Sequence, residues 1–314
     1  MKHTFKVTLL LLSFFVFSQI FGLFIISADM DIDQDEEGNN INVTYADTIM
    51  GERPDMEPKD SFISIVLAIG IGTLLALILI KLNLTLIWNI WFFLAVFISI
   101  SVSLGVFLPT RIAFLLSFIL TLLKNIKSNL LTHNISELLI YPGISLIFAP
   151  LLNLFWIIIL LFIISFYDMY AVWKSKHMVK LAEFQSNSNK FAGFMIKYKE
   201  DKKTTKVSEK STKTKTKSSR VKKSSGLKRA VLGGGDVFFP LLFSGILIQH
   251  LILVDQLTKW ISFAFSLIVV ATTTLALMLL FYYSKKNRYY PAMPFISGGC
   301  FAGLIIVKGI VFFL

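Results

Sequence analysis

The apolar residues of this chain come in blocks of roughly twenty, and this feature limits the possible folds more than any other. A helix of that length rises about 30 Å, the thickness of the hydrocarbon core of a bilayer. Soluble cores show shorter apolar runs with strand or helix periodicity. Only 16% of the residues are charged, against about a quarter in soluble domains. The sequence therefore predicts an all-α polytopic membrane protein.

The apolar blocks predict about nine transmembrane helices. Pro142 interrupts the fifth block, and Pro150 marks the turn into the sixth, because proline fits the first turn of a helix. The first block could also be a cleaved signal peptide, which would leave eight spans. Its length and the lack of a clean cleavage site favour a retained span. The predicted spans are 5–27, 61–80, 85–107, 110–124, 135–150, 151–171, 233–253, 259–283 and 293–313.

Charge is segregated between the loops. Residues 28–60 hold eleven acids against two basic residues, a net of −9, whereas residues 169–229 hold eighteen Lys and Arg against four acids, a net of +14. Cytoplasmic loops of membrane proteins carry the excess of Lys and Arg. The pattern predicts a cytoplasmic N-terminus and a C-terminus outside.

The predicted spans and the charged loops between them divide the chain into six segments. The basic stretch is rich in Lys, Ser and Thr, so it cannot bury a core and should be disordered beside anionic lipid head groups. It has no interleaved aromatic residues, so nucleic-acid binding is not expected. The segments are a first span (1–27), an acidic extracytoplasmic loop (28–60), spans two to six (61–171), a cytoplasmic extension of span six (172–198), the basic cytoplasmic loop (199–228) and spans seven to nine (229–314).

Residue types exclude several kinds of chemistry. The one cysteine, Cys300, cannot form an internal disulfide or a thiolate metal cluster. The four histidines fall in separate regions and none lies in an H-E-x-x-H motif, which argues against a zinc protease. A G-x-S-x-G serine-hydrolase motif is also missing from the sequence. We therefore expect neither a metal nor a cofactor.

Two carboxylates are predicted to lie inside the membrane. About 9 Å of helix separates Asp168 from the basic loop, and about 10 Å separates Asp236 from it. Glu137 and Asp255, in contrast, are expected at interfacial ends that water can reach. An intramembrane carboxylate costs about 2.5–3.5 kcal/mol on insertion scales, so two that face each other should share a proton. Such a pair suits an aspartyl protease, with one general base and one general acid, but it suits a proton or cation relay equally well.

Three short motifs resemble those of the presenilin and signal peptide peptidase family. Gly233-Gly234-Gly235-Asp236 matches the family's Gly-x-Gly-Asp, and Tyr167-Asp168 matches its Tyr-Asp in the preceding span. Pro291-Ala292-Met293-Pro294 resembles its Pro-Ala-Leu motif, with Met in place of Leu. Residues 174–184 are similar to the archaeal branch, which implies the plasma membrane of an archaeon.

The resemblance implies an intramembrane aspartyl endopeptidase in which Asp168 and Asp236 are catalytic. Its substrates would be transmembrane proteins or signal-peptide remnants, without nucleic acid, and the sequence gives no oligomeric state. The alternatives are an ion channel or carrier that uses the paired aspartates, and a binding protein for signal peptides with little activity.

The residues beside the aspartates are predicted to shape the site. Successive glycines weaken a helix by about 1 kcal/mol each relative to Ala, so a substrate backbone can approach there. Pro291 and Pro294 should stop helix propagation. Val231 and Leu232 lie in a segment, 229–232, that we expect to pair with 191–196 as a strand and to offer an edge to substrate. The alternative for 191–196 is an amphipathic helix on the membrane surface.

Overall fold

The computed structural model describes residues 5–34, 41–82, 84–126, 129–174, 192–199, 227–284 and 290–313. Within these ranges the chain forms nine α-helices and two antiparallel two-stranded sheets. The helices are α1 (Phe5–Asp29), α2 (Pro58–Lys81), α3 (Thr85–Gly105), α4 (Thr110–Ile126), α5 (Leu130–Phe148), α6 (Leu154–Trp173), α7 (Gly234–Leu253), α8 (Lys259–Tyr283) and α9 (Met293–Phe312). The strands are β1 (Met30–Gln34), β2 (Ile41–Tyr45), β3 (Gly193–Lys199) and β4 (Leu227–Gly233).

Helix length and surface composition confirm the predicted multi-pass membrane fold. Eight of the helices in the described ranges are long and apolar enough to span a bilayer, and α4, with 17 residues, is the shortest. Large apolar side chains such as Leu86 (71% exposed) and Ile305 (73% exposed) point away from the bundle. An apolar exterior of this kind is stable only against lipid. Of the predicted disordered loop, residues 200–226 lie outside the described residues.

The fifth helix differs from the prediction. It begins at Leu130, five residues before the expected start, and it continues through Pro142. Proline is tolerated in membrane helices because neighbouring groups can satisfy the freed backbone atoms. At Gly143 the backbones of α3 and α5 come so close that a Cβ would lie 1.8 Å from the Ser99 carbonyl oxygen. The early start places the polar first turns of α5 inside the protein.

A short 3₁₀ turn, Ala149–Leu151, connects α5 to α6. Helix α6 then begins at Leu154, three residues after the expected start. Asn153 is its N-cap, and the side-chain oxygen of Asn153 accepts a hydrogen bond of 3.0 Å from the Trp156 backbone N–H. Asparagine is among the preferred N-cap residues, and this cap sets the helix start.

The acidic segment between the first two helices is folded against the bundle. Strands β1 and β2 form a hairpin there. Arg53 bonds three separate parts of the chain: the Asp29 carboxylate at 2.7 Å, the Ala46 carbonyl at 2.7 Å and the Leu146 carbonyl on α5 at 2.5 Å. The Tyr45 hydroxyl donates to Gln249 on α7, and burial raises the pKa of Tyr45, so that it remains a donor.

Helix α7 lies at the centre of the bundle. It contacts α1, α5, α6, α8 and α9, and most of its side chains are buried. Gln19 of α1 donates a hydrogen bond of 2.8 Å to the Val237 carbonyl of α7. Helices α8 and α9 pack closely, because a Cβ at Gly299 or Gly303 would lie 2.7 Å from a backbone atom of α8. The central position of α7 fixes Asp236 relative to most of the other helices.

Candidate active site

Asp168 lies near the C-terminal end of α6, opposite the start of α9. Its Oδ2 accepts a hydrogen bond of 3.1 Å from the backbone N–H of Met293, the first residue of α9. The free N–H groups and the dipole of a helix N-terminus favour a negative group at this position. One turn deeper, Ser165 and Ser297 form a second link between α6 and α9, with 2.8 Å between their hydroxyl oxygens. The Tyr167-Asp168 and Pro-Ala-Met-Pro motifs are therefore in direct contact.

The Pro-Ala-Met-Pro segment forms the beginning of α9. Ala292 is the N-cap and Pro294 lies in the first turn, where the missing N–H of proline costs no helical hydrogen bond. Met293 is buried at 4% exposure. The segment starts α9 at Met293, so that the N-terminus of this helix points towards Asp168.

Asp236 lies in the first turn of α7, directly after β4. Gly233 is the N-cap of α7, and the Asp236 side chain reaches back towards the Gly233 backbone N–H. An acidic side chain at the third helical position reaches back in this way in capping boxes. Asp168 and Asp236 are close enough for the charge of one to act on the other. Two helix N-termini thus converge on one pair of carboxylates.

The three glycines before Asp236 differ in their surroundings. A Cβ at Gly233 would lie 3.0 Å from the Asp236 carboxylate, and one at Gly234 would lie 3.2 Å from the Tyr141 ring. A Cβ at Gly235 would meet only the Phe239 ring at an ordinary 3.7 Å, and Gly235 is exposed. Close packing therefore favours glycine at the first two positions, whereas Gly235 leaves its backbone accessible.

The predicted pairing of the two flanking segments is confirmed. Strands β3 and β4 are antiparallel, with Gly193 opposite Gly233, Phe194 opposite Leu232 and Met195 opposite Val231. The alternative of an amphipathic surface helix is wrong for the described part of that segment, 192–196. Phe194 and Leu232 face the core, and Val231 is 38% exposed. Strand β4 runs directly into the glycines, so the sheet lies beside Asp236.

The expectation that water reaches Glu137 is wrong. Its side chain is fully buried, and the Lys124 ammonium and the Tyr141 hydroxyl both donate hydrogen bonds to it. The predicted start at residue 135 would leave Glu137 in the first turn of the fifth helix, whereas the observed start at Leu130 places it about two turns inside. The signal was present in the sequence: His133, Glu137 and Tyr141 repeat every four residues on one helix face.

Asp255 is paired with Lys308 at 2.5 Å, and its side chain is 17% exposed. Its partly exposed position agrees with the predicted interfacial site. Within the described residues, no group of three His, Cys, Asp or Glu side chains converges as metal ligands would.

Comparison with known proteins agrees with the fold. Residues 59–313 match the family described as signal-peptide peptidase, presenilin aspartyl protease. The chain is thus an aspartic protease of the intramembrane class. It belongs to the signal-peptide peptidase and presenilin family. Neither the family nor the solved relatives support an ion channel or carrier.

Two solved structures have the same fold over nearly the whole chain. Both are described as a presenilin family intramembrane aspartate protease, in the C222 and P2 space groups, and both are 16% identical in sequence. The first has a TM-score of 0.60 and covers 96% of this chain and 99% of its own; the second has a TM-score of 0.57 and covers 96% of each. A search of curated protein sequences finds no significant match.

Proposed function

We propose that Asp168 and Asp236 are the catalytic dyad of this intramembrane protease. The observation that carries the proposal is that Asp168, held by the N-terminus of α9, lies within electrostatic reach of Asp236 in the first turn of α7. One carboxylate takes a proton from a water molecule, whose oxygen adds to the scissile carbonyl carbon. The protonated carboxyl gives its proton to the carbonyl oxygen, and proton transfer to the nitrogen then releases the amine. The two helix N-termini stabilise whichever carboxylate is charged.

We infer that the substrate adds as a strand to the free edge of β4. Successive residues of a strand direct their N–H and C=O groups to opposite edges. The backbone groups of Gly193 and Met195 bond to side chains of α5, so Phe194 and Leu232 are the pair that exchanges bonds between the strands. The N–H and C=O of Val231 then point away from β3. In the described part of the chain no strand occupies that edge.

Strand addition solves the main problem of cleavage within a membrane. A helical peptide bond is shielded by its own hydrogen bonds, and an extended segment in lipid must find partners for its N–H and C=O groups. The β4 edge supplies such partners beside Asp236. We infer that the substrates are transmembrane proteins or signal-peptide remnants in the plasma membrane of an archaeon, with Val231, Leu232, Gly235 and the Pro291–Pro294 segment shaping their path.

Incubation of the purified protein with a model single-span substrate tests the function. We expect a discrete pair of fragments and competition by a small transition-state mimic that carries a hydroxyl where the water attacks. A protein that binds the substrate intact, with no fragments at any substrate concentration, would instead support the binding-protein alternative.

A further inference from the structure

A buried polar cluster on α4 and α5 lies beside the active site but has no part in the proposed chemistry. Its centre is Glu137, which is fully buried. The Lys124 ammonium donates to one carboxylate oxygen and the Tyr141 hydroxyl to the other. Replacing a buried ion pair by apolar side chains often leaves stability unchanged or higher. Stability alone therefore does not explain the charged pair.

The cluster holds Gly193, the first residue of β3, through both of its backbone groups. The Gly193 N–H donates to Glu137 Oε2 at 3.0 Å, and the Gly193 carbonyl oxygen lies 2.8 Å from His133 Nε2. Gly193 has φ +146°, a conformation that residues with a Cβ rarely adopt. The two contacts with α5 thus fix the position of Gly193, and glycine allows the positive φ that this position requires.

Asn134, on the same face of α5, holds the strand one pair further along. Its Nδ2 donates to the Met195 carbonyl at 3.0 Å, and its Oδ1 accepts from the Met195 N–H at 3.1 Å. The side-chain amide thereby makes the two bonds that a neighbouring strand would make. The outer edge of β3 is closed at two successive outward-facing residues.

The held strand also touches the start of α7. The Ala192 carbonyl accepts a hydrogen bond of 3.2 Å from the Gly234 N–H, two residues before Asp236. The ring of Tyr141 occupies the space beside Gly234. A shift of β3 would move the paired β4 edge, whereas Asp236 is also held by the central helix α7.

We propose that Glu137, together with His133 and Asn134, is a positioning residue for substrate. It anchors β3 to α5, so that a substrate strand adds only to β4 and arrives in register with the aspartates. This inference rests on the proposed strand addition. The Glu137 carboxylate must be buried in order to reach the Gly193 N–H, and the ammonium group of Lys124 balances its charge.

Two double variants test the anchor while keeping the buried site neutral. Lys124→Met/Glu137→Gln keeps an oxygen acceptor for the Gly193 N–H, whereas Lys124→Met/Glu137→Leu removes it. We expect the glutamine variant to cleave a single-span substrate within about threefold of the unmodified protein. The leucine variant should lose about tenfold or more in kcat/KM, mainly through KM, because one unsatisfied backbone donor costs about a factor of ten. Binding of the small hydroxyl-bearing mimic, which reaches only the aspartates, should remain unchanged in both.

The outcomes separate this inference from the proposed function. Equal kcat/KM in the two double variants would overturn the anchor, as would a parallel loss of mimic binding and cleavage in the leucine variant. A loss of thermal stability that accounts for the whole loss of cleavage would also overturn it. Val231→Pro tests strand addition independently: if it blocks cleavage while the two double variants remain equal, strand addition stands and only the anchor fails.

Discussion

The two catalytic candidates are single carboxylates held by main-chain donors at two different helix starts. Asp168 accepts a hydrogen bond from the N–H of Met293, and Asp236 lies close to the N–H of Gly233. An asparagine has nearly the same shape and can still accept these bonds. Substitution therefore removes acid–base chemistry from the pair while leaving its anchoring in place.

We expect Asp168→Asn and Asp236→Asn each to reduce cleavage by about 10²–10⁴-fold, the usual contribution of general acid–base catalysis. Thermal stability should remain near that of the unmodified protein, since neutralising one member relieves charge repulsion. Fragment yield from a single-span substrate and a thermal melt in detergent measure the two effects. Substantial cleavage by either variant would contradict the assignment of the dyad.

Gly234 and Gly235 provide a second test at the level of residues. Gly234→Ala would place a methyl group 3.2 Å from the Tyr141 ring and 3.4 Å from the Ala192 carbonyl oxygen, so we expect a loss of about 1–3 kcal/mol in stability. The methyl group of Gly235→Ala has room, so this variant should melt at the same temperature as the unmodified protein. Its methyl group would project from an exposed backbone, so KM should rise. Thermal melts with cleavage kinetics distinguish the two, and identical behaviour would contradict the different roles.

At the scale of elements, the accuracy of the sequence prediction followed the strength of the local signal. Apolar blocks placed every helix, and the apolar content of 229–232 predicted the β4 strand. The start of α5 differs from the prediction because its first turns carry the polar residues His133, Asn134 and Glu137. Their spacing indicates a helix face, but not the partners on β3 that allow this face to be buried. Those partners lie about 60 residues away in the chain. No local pattern specifies such a contact.

The free edge of β4 leads to a prediction for that element. Val231→Pro removes the N–H that would bond to an added substrate strand, and one unmade hydrogen bond costs about 1–3 kcal/mol. We expect at least a tenfold loss of cleavage with unchanged binding of the small transition-state mimic. Val231→Thr, which keeps the N–H and the branched shape, is the matched control. Normal cleavage by the proline variant would rule out strand addition without affecting the dyad.

For the whole molecule, the opposite charges of the acidic segment 28–60 and the basic segment 199–228 predict the orientation in the membrane. Cys300 is fully buried and should not react with a thiol reagent, so labelling of an introduced cysteine can be measured against low background. In intact cells a membrane-impermeant maleimide should label Glu52→Cys, whose native side chain is exposed. Ser211→Cys should react only after permeabilisation. The reverse pattern would invert the orientation.

The hydrogen bond between Gln19 and Val237 has a consequence for how the protein is made. Its two partners are 218 residues apart, so the first helix emerges from the ribosome long before its central neighbour exists. At about 5–20 residues per second, the delay is on the order of 10–40 s. During that time the side-chain amide of Gln19 must stay hydrated or form a transient hydrogen bond with another group, because lipid offers no acceptor. We therefore expect a synthesis intermediate in which the first six helices are inserted and the central position between them is still free. Helix α7 occupies that position when it inserts.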